Sequence, residues 1–248
     1  MLKNKVALIT GTNRGIGRAT LRVFATHHAV IYAHTRVKTR EHEMYCSQIE
    51  NTFGVRVIPI YFDATESDQI KESIKIIREN GDGIDILVNN LGQVKTVKYF
   101  TMTTMQEIRD EFEVNFFAQM ELTQYISRMM IRNKRGSIVN ISACAAIDGN
   151  TGMLPYVSSK SAVIGSTKRL AIELGMYGIR VNSVAPGLTD TDMASQMEGG
   201  LEKDTLRHVI LGRKADPEEI ANVVAFISSD LASYMTGQII RVDGGMLL

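Results

Sequence analysis

An α/β fold is predicted for this chain: a single domain over residues 1–248 whose seven-stranded parallel sheet is doubly wound, with helices on both faces. Three observations predict it. Short β-branched runs alternate with longer amphipathic segments along the whole length. A glycine-rich turn follows the first of these runs directly. No repeat, low-complexity tract or linker-like stretch divides the chain, and 44% apolar residues are enough to fill a sizeable core.

The strand candidates are residues 6–10, 29–33, 55–61, 84–89, 137–142, 180–184 and 238–242. Helical segments between most of them supply the crossovers that parallel pairing requires, and a sheet covered on both faces follows. In residues 67–77, Ile70, Ile74 and Ile77 fall on one helix face at i, i+4 and i+7. Asp216-Pro217-Glu218-Glu219 supplies an N-cap, a first-turn proline and acids at the positive end of a helix dipole.

Composition narrows the function classes. Twenty-eight basic residues balance 27 acidic ones for a net charge of +1, so no overall field draws the chain to nucleic acid or to a membrane surface. Cys46 and Cys144 lie far apart and in no ligand spacing, which argues against a disulfide scaffold or a metal site and fits a reducing, cytoplasmic setting. The five histidines form no metal-ligand pattern either. After Met1-Leu-Lys-Asn-Lys5 the apolar run at residues 6–9 is too short for a signal-peptide core, and no stretch is long enough to cross a bilayer. The whole chain is therefore expected to be the working protein.

The first strand runs into Thr10-Gly11-Thr12-Asn13-Arg14-Gly15-Ile16-Gly17, and a helical pattern follows through Leu21 and Phe24. Glycines let the backbone turn tightly and let a pyrophosphate approach a helix N-terminus, where free N–H groups favour negative charge. Alone, the turn reads equally as a tight βα connection without a ligand. Dinucleotide folds of this Rossmann type place an acid about 20 residues further on to bind the ribose of NAD, and here no acid precedes Glu41. Arg36 ends the second strand and Arg14 lies in the turn, so two guanidinium groups could meet a 2′-phosphate. NADP(H) is the expected cofactor, with NAD(H) left open.

Tyr156-Val-Ser-Ser-Lys160 opens an apolar helical run. Four-residue spacing puts phenol and ammonium on one helix face, and a nearby cation favours the phenolate of an otherwise weak acid. By itself such a pair is also an ordinary exposed helix pair. Its company is distinctive: the turn at 10–17, Asn89-Asn90-Leu91-Gly92 after the fourth strand, Asn115 in a long helix, and Pro186-Gly187 after the sixth strand, in that order.

Over essentially its full length the sequence resembles the short-chain dehydrogenase/reductase family. Within it the likeness is to 3-oxoacyl-[acyl-carrier-protein] reductases, through Arg180-Val-Asn-Ser-Val-Ala-Pro-Gly187, Pro217-Glu-Glu-Ile-Ala221 and Val242-Asp-Gly-Gly-Met246. The resemblance implies an oxidoreductase of fatty acid biosynthesis type that interconverts a carbonyl and an alcohol. Tyr156 would exchange a proton with the substrate oxygen. Lys160 would bind the nicotinamide ribose and lower the tyrosine pKa, and Asn115 would anchor a water-linked proton relay. Gly11, Thr12, Asn13, Arg14, Gly15, Ile16, Gly17 and Arg36 would hold the adenosine and diphosphate. Asp63 and Ala64 would sit by the adenine, Asn89 would line the cofactor, and Pro186, Gly187, Thr189 and Thr191 would flank the carboxamide. It also implies a homotetramer and a substrate lid over residues 194–208.

Two departures stand against the pattern. The family places a serine thirteen residues before the tyrosine; here that position is Ala143, with Ser142 beside it. Side chains alternate across a strand, so Ser142 serves only if the backbone bulges. A bulge, a slower enzyme relying on tyrosine, and a cofactor-binding subunit without turnover are the three readings. Second, the basic run Arg132-Asn-Lys134-Arg135 suits an acidic acyl carrier protein or a solvated helix end alike, and Tyr177 stands where a second basic site is expected. A small carbonyl or acyl thioester substrate is expected, with a sugar, polyol or nucleotide-linked alcohol as the alternative.

Overall fold

The computed structural model describes residues 1–81, 83–95, 97–192 and 205–246. Its strands are β1 (Val6–Thr10), β2 (Val30–Thr35), β3 (Val57–Tyr61), β4 (Ile86–Asn89), β5 (Gly136–Ile141), β6 (Ile179–Pro186) and β7 (Ile239–Val242). They form one parallel seven-stranded sheet in the order β3-β2-β1-β4-β5-β6-β7. The helices are α1 (Gly15–Thr26), α2 (Arg40–Phe53), α3 (Ser67–Glu79), α4 (Met105–Phe112), α5 (Ala118–Asn133), α6 (Ala145–Asp148), α7 (Leu154–Gly175) and α8 (Pro217–Ser228).

Period-two alternation divides the strands between two cores. Ile9, Val88 and Val139 pack under α1 and α8 with Leu21, Phe24, Ile220 and Val224. Their neighbours Leu8, Leu87 and Ile138 face the opposite layer with Ile126 of α5 and Ile70, Ile74 and Ile77 of α3. The predicted α/β class, parallel pairing and two-sided helix cover all hold. The cap of α8 holds too: the Asp216 carboxylate accepts from the Glu218 N–H at 2.8 Å and Glu219 completes a capping box.

The sheet edges differ from the sequence reading by a few residues. β2 continues to Thr35, which pairs with Tyr61 of β3, and β6 runs from Ile179 to Pro186 because β5 pairs with it from Ile179 to Val184 and β7 from Ser183 to Pro186. The helix carrying Asn115 is not uniform: Glu113–Phe117 is a π-helical turn between α4 and α5. Strand order reverses direction between β1 and β4, and the crevice at their carboxyl ends is where open α/β sheets bind ligands. Among the described residues, no helix is long and apolar enough to cross a membrane.

Candidate active site

One wall of this crevice is the turn from β1 into α1. Gly11 and Gly15 have φ of 71° and 54°, and a Cβ on Gly17 would lie 2.1 Å from the Gly11 carbonyl oxygen, so the turn depends on all three glycines. α1 opens after an extended Arg14 with no side-chain cap and no acid in its first turn. That uncapped, electropositive helix end fits a dinucleotide diphosphate. His34 of β2 supports the turn from below: its Nδ1 accepts from the Gly11 N–H at 3.4 Å and its Nε2 donates to the Phe62 carbonyl at 2.9 Å. Burial lowers its pKa to about 4, so the ring is neutral and structural. The Thr12 hydroxyl donates to the His34 carbonyl at 3.1 Å, so it too is tied to the sheet end.

Beyond the carboxyl end of β2, Arg36 is exposed. Arg14 also reaches solvent, with an ion pair of 3.3 Å to Asp192 across the crevice mouth. The Asp63 carboxylate accepts from the Thr65 N–H at 3.0 Å and the Thr65 hydroxyl at 2.8 Å. Burial would raise its pKa; those two bonds, with Arg36 and His34 nearby, bring it below the ordinary value. Ala64 beside it is buried.

The facing wall follows β4, where the two successive asparagines part company. The Asn89 side chain points into the interior, donating to the Thr123 hydroxyl at 2.8 Å and to Asn140 Oδ1 at 2.9 Å, and is fully buried. It ties β4 to β5 and α5. Asn90 takes the place beside the turn, its amide donating to the carbonyls of Thr10 and Gly11 at 2.9 and 3.3 Å. Alternation along the strand is the reason: of two successive asparagines only one can face the crevice.

Tyr156 and Lys160 lie in the first turns of α7, the phenol half-buried and the lysine buried. The ammonium donates to the Ile141 carbonyl at 2.8 Å and reaches that of Leu91 at 3.4 Å. Burial lowers its pKa to about 8, a loss that the negative charge of Glu111 opposes. The expected lowering of the Tyr156 pKa is not found: burial raises it first, and the charges of Glu111 and Cys144 add to the rise. Asn115, in the π turn, accepts from the Gln93 N–H at 2.8 Å through Oδ1. Its Nδ2 lies 3.0 Å from the Gln93 carbonyl, 2.9 Å from Glu111 Oε2 and 3.1 Å from Ser159 Oγ. A Cβ on Gly92 would fall 3.1 Å from Lys160 Nζ and 3.6 Å from Asn115 Oδ1, so β4, the π turn and α7 converge over that glycine.

Glu111 and Ser159 belong to this cluster but to no reading of the sequence. The signal for Glu111 was its four-residue spacing from Asn115, and for Ser159 its place next to Lys160.

The bulge that would rescue Ser142 is excluded. Backbone N–H groups of Ser142 and Cys144 donate in step to the carbonyls of Val184 and Pro186, each at 2.9 Å, so ladder pairing continues undisturbed past β5. The Ser142 hydroxyl donates to Val184 at 3.2 Å and accepts from Ser183 at 2.8 Å. It is held against β6, while Ala143 takes the alternate face.

Beyond β6, a Cβ on Gly187 would lie 2.7 Å from Asp243 Cα, and the Thr189 hydroxyl donates to the Gly187 carbonyl at 3.1 Å. Thr191 packs against the glycine turn: a Cβ on Gly15 would stand 3.1 Å from its Cγ2. Pro186, Gly187, Thr189 and Thr191 thus close the crevice opposite Asn90. Of the expected lid, residues 194–204 lie outside the described residues and 205–208 are described.

Comparison with known proteins agrees with this geometry. A family model described as enoyl-(acyl carrier protein) reductase matches residues 11–247. The chain is 37% identical over 245 residues to 3-oxoacyl-[acyl-carrier-protein] reductase of Aquifex aeolicus, covering 99% of this chain and 98% of that protein. It is 40% identical over 248 residues to 7α-hydroxysteroid dehydrogenase of Paraclostridium sordellii, covering 98% and 92%. A solved 7α-hydroxysteroid dehydrogenase, complexed with NADH and 7-oxo glycochenodeoxycholic acid, superposes with a TM-score of 0.89 at 31% identity, covering 99% and 95%. With the glycine turn, the crevice at the β1/β4 reversal and full-length identity all in agreement, this chain belongs to the short-chain dehydrogenase/reductase family and is an NAD(P)-dependent oxidoreductase.

Proposed function

We propose that this chain interconverts a carbonyl and an alcohol with NADP(H), and that its substrate is a 3-oxoacyl thioester. The observation that carries the reading is the convergence of the buried Lys160 and Asn115 over Gly92, with Tyr156 one helix turn before Lys160 on α7. The bound nicotinamide supplies or accepts the hydride. Tyr156, its phenol kept protonated by burial, binds the substrate oxygen and gives it a proton as the carbonyl is reduced. Lys160, with a pKa of about 8, is chiefly an ammonium at neutral pH, and its charge favours the phenolate left behind. Asn115 holds the loop after β4 in register with α7. Gly11 to Gly17 hold the diphosphate, and Asn90, rather than Asn89, braces that turn from the opposite wall.

Arg14 and Arg36, with no acid before Glu41, support NADP(H) over NAD(H). The exposed Arg132 and Lys134 at the end of α5 support docking of an acyl carrier protein, although Arg135 is partly committed to Asp85 at 2.9 Å. Ile172 and Met176, 73% and 81% exposed, and Tyr234, fully exposed, support a homotetramer built on the α7 and carboxyl-terminal faces. A cytoplasmic location accords with two free, buried cysteines.

The 40% identity to a hydroxysteroid dehydrogenase favours a second reading, oxidation of a secondary alcohol on a sterol-like ring. A third is a subunit that binds cofactor without turnover, motivated by Ala143. The test is purified protein with NADPH or NADH against 3-oxoacyl thioesters, small ketones and oxo-steroids, followed by nicotinamide absorbance. Thioester reduction, with a loss of about 10²–10⁴-fold on Tyr156→Phe, is the expected result. Oxo-steroid turnover alone selects the second reading. Cofactor binding with no turnover, and no gain on Ala143→Ser, selects the third.

A further inference from the structure

Glu111 occupies the last turn of α4 with its side chain fully buried. A carboxylate at that depth is costly unless its oxygens are bonded. Oε1 accepts from the Lys95 N–H at 2.6 Å, and Oε2 accepts from Asn115 Nδ2 at 2.9 Å. The orientation of the Asn115 amide follows from its double contact with the Gln93 backbone, which presents an N–H to Oδ1 and a carbonyl to Nδ2. The Lys95 N–H and Asn115 Nδ2 are therefore both donors to Glu111, and donors favour the ionised acceptor.

From Glu111 the contacts run on to the reacting pair. Asn115 Nδ2 lies 3.1 Å from Ser159 Oγ, whose hydroxyl donates to the Tyr156 carbonyl at 2.8 Å. The Oδ1 of the same amide and the Lys160 ammonium both border Gly92, 3.6 and 3.1 Å from where its Cβ would stand. Charges inside a protein act on each other far more strongly than in water.

We propose that Glu111 is a positioning residue for the Tyr156–Lys160 pair: a fixed negative charge that locks Asn115 and holds Lys160 in its ammonium form at working pH. This rests on the reading of that pair as the reacting groups. Among the described residues, the ionisable groups facing Lys160 and Tyr156 are Glu111 from α4, the two residues themselves from α7, and Cys144 from the segment after β5. Lys95, on the loop after β4, contributes its backbone, and its side chain is exposed. Burial draws the Lys160 pKa down to about 8 and the Glu111 charge works against that fall. Without Glu111 the midpoint moves toward neutrality, and turnover that needs the ammonium is lost from the alkaline side.

The experiment uses the full chain without cofactor, labelled with carbon-13 at lysine Cε, the Lys160 resonance being assigned by its loss in Lys160→Arg. Glu111→Gln is expected to lower the Lys160 titration midpoint by about one unit or more, and Glu111→Asp, which keeps the charge, to hold it nearer the parent value. The alkaline limb of the pH profile for turnover should shift the same way. An unmoved Lys160 midpoint in folded Glu111→Gln overturns the proposal. A second measurement needs no folded variant: carbon-13 at the glutamate carboxyl should show Glu111 ionised at pH 7 in the parent protein, and a protonated Glu111 there also overturns it. The two levels of inference fail differently. A parent protein without turnover on any substrate removes the functional reading, while the Lys160 titration still decides the coupling. Tyr156-dependent turnover with an unmoved midpoint removes this proposal alone.

Discussion

The two ends of the crevice are ordered by different means. At the glycine turn the order is in the backbone: Gly11 and Gly15 sit at positive φ, Gly17 admits no Cβ, and the buried His34 beneath the turn is neutral. At the Tyr156–Lys160 end the backbone is helical, and the order lies in buried polar side chains: Lys160 on the Ile141 carbonyl, and Asn115 among Gln93, Glu111 and Ser159. A site made of backbone fails through steric overlap. A site made of side-chain charges and donors is tuned one group at a time, and here one expected donor, the serine of position 143, is missing.

That contrast can be broken at either end. Gly17→Ala should have the largest effect, because its Cβ would meet the Gly11 carbonyl at 2.1 Å. Overpacking of this kind costs about 1–3 kcal/mol, and here it also displaces the helix end proposed to receive the diphosphate. Cofactor affinity by calorimetric titration should fall by about 10²-fold, roughly the upper end of that cost, with a lower melting temperature. Unchanged binding would show that the turn is not set by its backbone.

At the other end, Ala143→Ser adds a donor on the face that Ser142 does not reach. Loss of one such donor costs on the order of 10²–10³ in rate, so steady-state turnover should rise by up to about 10²-fold. No gain would mean that the donor is supplied elsewhere or that the pocket cannot use one. The smallest effect belongs to the rim. Arg36→Ala removes an exposed charge, and the preference for NADPH over NADH should narrow by about tenfold, within the range of one charge-assisted hydrogen bond. Equal affinities in the unmodified protein would refute the NADP(H) assignment itself.

The legible part of this protein is the part written in local patterns. Alternation, helix periodicity and the glycine spacing each act over a few residues, so seven strands, their parallel pairing and the turn between β1 and α1 could be read directly. The α8 cap is of the same kind, four residues in a row that satisfy one helix end. The one-turn spacing of Tyr156 and Lys160 was legible in the same way, while the roles expected of them came from the accompanying motifs and the family resemblance.

Tertiary structure decided what depends on strand phase and on segments distant in sequence. Whether Asn89 or Asn90 faced the crevice, and whether Ser142 could stand in at position 143, turned on ladder pairing with neighbouring strands, which no local pattern records. Glu111 looks like one more acid on a polar helix, and only the packing of α4, the π turn and α7 around Gly92 buries it near the Tyr156–Lys160 pair. The sequence by itself determined the fold, because that rests on short-range periodicity, and it brought out the Tyr156–Lys160 spacing whose proposed role came from the family resemblance. Folding decided their charge environment, because burial and Coulomb interactions depend on distances in space.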